Sequence, residues 1–254
     1  MKGLPAPERA LFYLQIAILL ALSLRLFLTG LYRSYRVFFT FNVLNLLQSV
    51  VLALIPFRTN LYGYSFMVAE STMMCCYALI ILELCGKVLN DWKGIATVAA
   101  RYIKVTLGIA VIASLLLLGL EATPTGPVAK LFIFERTIIA SLVFFILLMG
   151  FFLVYYPVPL NRNVIFYSVA YAVYFLLKAV TLLFYNIGYH LTRQMSLGMI
   201  GLSTLCLLFW AVALSRKGEE MKVVVGHRWN RADEQRILDR LRAINDSLLQ
   251  TRQN

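Results

Sequence analysis

The chain has 254 residues, 61% of them hydrophobic and 14% charged, with a formal net charge of +12. Soluble domains run nearer 45–50% apolar and about 25% charged, so this composition excludes an ordinary soluble domain and indicates an integral membrane protein. The surplus of Lys and Arg then reads as cytoplasmic loop charge that attracts anionic lipid, and no nucleic-acid partner is expected.

The residue inventory excludes further classes. Cys75, Cys76, Cys85 and Cys206 all lie inside apolar stretches, so no disulfide framework is indicated. His190 and His227 are the two histidines, too sparse for clustered metal ligands. No nucleophile–base–orienter set and no phosphate loop is readable, so the chain is not expected to be an enzyme and no cofactor is called for. The first apolar stretch is of full membrane length and lacks a small-residue cleavage site, which argues against a cleavable signal.

Taken in order, seven apolar segments appear at 10–30, 36–56, 64–87, 102–120, 129–156, 163–188 and 195–215. Each is long enough for a bilayer core, which needs about 20 residues of helix. The breaks between them are punctuated by LYRSYR, by Pro56 before a polar loop, by ATPTGP, and by YPVPLNRN, which reads as a tight turn. The fold expected is all-α: a bundle of seven transmembrane helices over residues 1–215, followed by a tail over 216–254.

Charge asymmetry orients it. Arg33, Arg36, Lys87, Lys93, Arg101, Lys104 and Arg162 fall on one set of connections, and Arg58, Lys130 and Arg193 on the other. The tail adds more basic residues to the richer side. The positive-inside rule then sets the N-terminus outside and the C-terminus in the cytoplasm, in a plasma membrane of the bacterial inner-membrane type. The connection at 88–101 is apolar and basic at once and contains Trp92, so it reads either as a short interfacial helix or as a plain cytoplasmic link.

In the tail, MKVVV at 221–225 reads as a short strand or a linker. Beyond it, Ile237, Leu241, Ile244 and Leu248 recur at helical spacing, giving an amphipathic helix at about 231–250. Arg242 and Asp246 are spaced for an i,i+4 pair. The apolar stripe could dock on its own bundle, bind a protein partner, or self-associate. The tail's basic residues alternate with acids, which does not suit nucleic acid.

Ionisable residues at membrane depth are the candidate site, since they are costly unless paired. In the sixth segment, Tyr167, Tyr171, Tyr174, Lys178, Thr181 and Tyr185 form one helical stripe. Lys178 falls near the midplane, on the outer side. Glu70 in the third segment and Glu135 and Arg136 in the fifth lie about 10 Å in from the outer end. Two acids and two bases would balance to zero in one buried network. Asn42, Asn45, Gln48 and Ser49 in the second segment, and Ser71, Thr72 and Tyr77 in the third, supply polar neighbours. The ligand-lining set is Lys178, Glu70, Glu135, Arg136, Tyr171, Tyr174 and Asn45, in an outward-facing cavity. The bland alternative is a salt bridge that merely pins helices. Arg25 and Glu83 fall near the cytoplasmic end and are expected to form a separate clamp between the first and third helices.

YRVFF at 35–39, the acid Glu83 ending the third helix and the tail GHRW…LRAINDSLL resemble uncharacterised bacterial seven-helix membrane proteins. The resemblance implies the fold and carries no activity. The expected function is receptor- or sensor-like, with an outer-half interior site and signalling or docking through the tail. An accessory subunit of a larger membrane complex and a small-solute transporter of three-one-three layout stay open. A retinal pigment is disfavoured, because its lysine would sit on the last helix rather than the sixth.

Overall fold

A computed structural model describes residues 6–56, 59–120, 127–156, 158–187, 192–225 and 231–251. The fold is all-α apart from two short strands. The helices are α1 (Ala6–Leu28), α2 (Arg36–Leu54), α3 (Asn60–Val88), α4 (Lys93–Leu120), α5 (Pro127–Tyr155), α6 (Arg162–Ile187), α7 (Thr192–Ala213), α8 (Arg216–Glu220) and α9 (Arg231–Thr251). Each of the seven apolar segments of the sequence falls on one of α1 to α7. Among the described residues, α1, α2, α3, α5 and α6 are long and apolar enough to cross a membrane. By length and composition this is a multi-pass membrane protein. Large apolar side chains such as Leu28, Leu54, Val68, Phe151 and Val212 point outward from the bundle, as a lipid-facing surface requires.

Local chemistry sets the helix ends. Gly30 takes φ 73°, a left-handed turn that a side chain resists, and reverses the chain between α1 and α2. Pro56 stops α2, because the residue before a proline is pushed out of the helical region. Thr59 caps α3 by accepting from the backbone N–H of Tyr62 at 3.3 Å, and Ser215 caps α8 by accepting from Gly218 N–H at 3.1 Å. The connection at 88–101 forms no separate interfacial helix. From Lys93 onward those residues are the first turns of α4, which continues unbroken into the apolar segment.

The helices close into a ring. α1 packs on α2 and α7, α6 on α5 and α7, and α3 touches α2, α4, α5 and α6. Its centre is aromatic. Phe38 of α2, Tyr167 and Tyr171 of α6 and Trp210 of α7 lie with ring centroids 4.5–6.0 Å apart.

The end of the bundle that carries the tail is called the tail face here, and the opposite end the far face. At the tail face, the expected turn between α5 and α6 contains a strand, β1 (Val158–Asn161). It pairs antiparallel with β2 (Lys222–Val225), with Leu160 opposite Val223. The segment just after α7 is thereby tied to the bundle. The amphipathic α9 lies along the start of α4. Gly94 N–H donates to Asn245 Oδ1 at 2.8 Å, and a Cβ at Gly94 would sit 2.5 Å from the Asn245 carbonyl oxygen. Leu241 is buried and Leu248 half-buried, whereas Ile244 is exposed and the Ile237 side chain lies outside the described residues. The exposed ion pair of α9 joins Arg242 to Asp239, one turn back, rather than to Asp246.

Candidate functional site

The far half of the bundle contains a closed ionic cluster. α6 runs antiparallel to α3 and beside α5, and its polar stripe faces both. Lys178 is 4% exposed and Glu135 1% exposed. Lys178 Nζ donates to Glu70 Oε1 of α3 at 3.2 Å and pairs with Glu135 Oε1 of α5. It also donates to the Tyr77 hydroxyl at 3.2 Å and stands over that ring. The Tyr77 and Tyr174 hydroxyls are 3.0 Å apart. Gln48 of α2 lies beside Glu70, and the two carboxyl groups approach each other. Three helices are therefore pinned by one ammonium group.

Of the residues singled out in the sequence, Lys178, Glu70, Glu135 and Tyr174 come together. Tyr171 lies one turn further toward the tail face, fully buried, and its hydroxyl has no hydrogen-bond partner among the described residues. Arg136 does not join. It is half-buried and makes no ion pair among the described residues. Successive residues on a helix point about 100° apart, so Glu135 and Arg136 cannot both face Lys178. The expected balance of four charges becomes one ammonium against two carboxylates. Gln48, not Asn45, is the α2 side chain that lies beside Glu70. Ser71 and Thr72 turn outward and bond carbonyls of their own helix. Thr181 bonds the Leu177 carbonyl, and the Tyr185 side chain lies outside the described residues.

Among the described residues, neither of two grooves in the bundle is lined by Lys178, which the sequence placed in an outward-facing cavity. A groove of about 440 Å³ between α2 and α3 is lined by Gln48 but not by Lys178. A second groove, of about 330 Å³, is apolar and lies between α3, α4 and α5.

A second polar cluster at the tail face replaces the expected Arg25–Glu83 clamp. Arg25 instead donates to the Leu214 carbonyl at the end of α7, at 2.9 Å, where a cation suits the helix dipole. Glu83 accepts from the backbone N–H of Val37 at 3.1 Å and of Phe38 at 3.3 Å, and from the Tyr167 hydroxyl at 3.4 Å. It caps α2 from another helix. The start of α2, at Tyr35 and Arg36, has no capping side chain of its own. Lys87, one turn on from Glu83, donates to Ser34 Oγ at 3.2 Å and lies over the Tyr35 ring.

Glu219 of α8 completes this cluster. It accepts from Ser34 and Tyr35 at 2.8 Å each and from Asn163 at 3.2 Å. Partial burial pushes its carboxyl up, but these bonds and the nearby Lys87 outweigh that and hold it below the usual range. Burial and Glu219 together push the Tyr35 phenol far up. Asn163 donates to the Ser215 carbonyl at 2.7 Å, and a Cβ at Gly218 would collide with the Asn163 side chain. The sequence signals were an α2 start without a cap, and a glycine beside two acids just after α7.

No protein-family model matches the chain, and neither a curated protein nor a solved structure does so.

Proposed function

We propose that this chain is a seven-span membrane sensor that takes one small cationic ligand at the Lys178 site. In this reading α4 and α7 span alongside the five long apolar helices. The N-terminus lies outside, and the tail face is cytoplasmic, as the Lys and Arg distribution requires. The resemblance to bacterial seven-helix proteins supports an inner-membrane location.

One observation carries the reading. A buried ammonium is shared by two carboxyl groups from two other helices, which with both ionised leaves one negative charge unmatched. Unmatched charge at membrane depth is expensive, and a cation supplies what is missing. A cation bound there draws Glu70 or Glu135 away from Lys178 and so changes how α3, α5 and α6 are held. The response reaches the cytoplasmic face, where α9 lies on α4.

The test is thermal unfolding of the protein in lipid nanodiscs with ethanolamine, choline and putrescine as probes. At least one raises Tm in the wild type, and the shift vanishes in the Glu70→Gln/Glu135→Gln double variant. No shift with any probe, or a shift that survives in the double variant, refutes the reading. A stoichiometric membrane partner on gentle purification would favour an accessory subunit, and uptake of the bound probe into vesicles would favour a transporter.

A further inference from the structure

We propose that the tyrosine stripe of α6 is a proton path joining the Lys178 site to Glu83 at the tail face. It rests on the reading of Lys178, Glu70 and Glu135 as a cation site, and adds that the cation exchanged inward is a proton.

The path has two bonded stretches. At the far end, Lys178 Nζ is 3.2 Å from the Tyr77 hydroxyl, which is 3.0 Å from the Tyr174 hydroxyl. At the tail end, the Tyr167 hydroxyl donates to Glu83 at 3.4 Å. Tyr171 lies between them on the same helix face. Its ring centroid is 6.5 Å from that of Tyr174 and 4.9 Å from that of Tyr167. The middle of the path is sealed, with Tyr167 and Tyr171 fully buried, while Glu70 and Glu83 at its ends are partly exposed.

Tyr171 is the informative residue. Its ring packs on Trp210, Phe38 and Phe175, contacts that a phenylalanine would make equally well. Its hydroxyl is buried and has no hydrogen-bond partner among the described residues. A buried hydroxyl without a partner costs about 1–3 kcal/mol, so stability favours Phe at this position. What the hydroxyl adds is the capacity to accept a proton and give one, in the gap between the two bonded stretches. The stretches on either side end in groups with the same capacity.

The step balances. A proton held by the Glu70–Glu135 pair replaces one that Lys178 gives to the Tyr77 oxygen. Each phenol in turn releases its own proton as it accepts the next, and Glu83 takes the last. Every O–H bond broken is matched by one formed, each tyrosine ends neutral, and no electron moves.

The protein is reconstituted into vesicles containing a pH-sensitive dye, and a potassium diffusion potential set by valinomycin drives protons inward. Wild-type vesicles acidify faster than protein-free ones. Tyr171→Phe brings the rate down to the protein-free level, while Tyr102→Phe, which removes an exposed hydroxyl, leaves it unchanged. Thermal unfolding confirms that Tyr171→Phe is folded, with Tm at or above wild type. A wild-type flux no greater than that of empty vesicles overturns the path, as does an undiminished flux in Tyr171→Phe. Probe binding at Lys178 without any flux overturns the path alone. Flux abolished by Tyr171→Phe in a protein that binds no probe leaves the path standing and removes the sensor reading.

Discussion

Lys178→Met and Glu135→Gln should have very different effects on stability. In an isolated buried pair, losing either partner strands the other, at a cost of about 3–5 kcal/mol. Here one ammonium faces two carboxylates whose oxygens both lie within 3.2 Å of the same nitrogen. Those oxygens are no more than about 6 Å apart, and at an effective dielectric near 20 the carboxylates repel by roughly 2.5 kcal/mol. Lys178→Met takes the cluster from one surplus negative charge to two and removes both attractions, so it costs at least about 3–5 kcal/mol. Glu135→Gln takes it to neutrality, and the relieved repulsion offsets the lost contact, leaving stability within about 1 kcal/mol of wild type. Adding Glu70→Gln and Glu135→Gln to Lys178→Met recovers most of the loss. The assay is unfolding by SDS in mixed micelles, followed by the fluorescence of Trp210, which packs against Tyr171. Equal damage from Lys178→Met and Glu135→Gln would refute the charge count.

Glu83→Ala removes the acceptor at the start of α2 and should cost about 1–2 kcal/mol, with faster hydrogen exchange at the Val37 and Phe38 amides; unchanged exchange refutes the capping role. Gly94→Leu pushes a side chain into Asn245 and should free α9, read as faster tryptic cleavage at its arginines. Glu219 is held below the usual carboxylate range. Its contribution is therefore complete above the unfolded value of about 4.3 and is lost as pH falls below it. A spin label at Lys222→Cys should keep constant mobility from neutral pH to that value and loosen below it; loosening already near pH 6 contradicts the assignment.

The helices were legible because membrane burial imposes a length and an apolarity that few other constraints override. Lys178, Glu70 and Glu135 were legible because an ion at that depth must find a counter-ion. Arg136 was misassigned because depth was weighed without azimuth. The tail-face cluster was not legible, since Glu83 and Glu219 bond to backbone amides, hydroxyls and an amide side chain rather than to cations. Partners of that kind are present in any sequence and carry no charge pattern to betray them. The strand pairing of Val158–Asn161 with Lys222–Val225 was hidden for a similar reason. A four-residue strand has almost no periodicity, and its partner is some sixty residues away.

Both clusters are carried by the same two helices. Glu70 and Glu83 are about 20 Å apart along α3, and Lys178 and Tyr167 about 16 Å apart along α6, so the antiparallel pair is tied once near each end. The two ties are unequal. The far one is an ion pair buried from water, whereas the near one is a single phenol donating to Glu83 at 3.4 Å. A hydrogen bond to a charged group contributes about 1.5–3 kcal/mol at best geometry, and this one is long. If the Lys178 contacts let go, the near tie is too weak to hold α6 against α3 alone. Glu83 is also the cap of α2, so a shift of α6 that pulls Tyr167 away changes the surroundings of the carboxylate on which the first turn of α2 depends. The aromatic centre between the ties is close-packed and transmits displacement rather than absorbing it. The Lys178 contacts and the integrity of the α2 start are thus coupled through α3 and α6, with no moving part between them except the helices themselves.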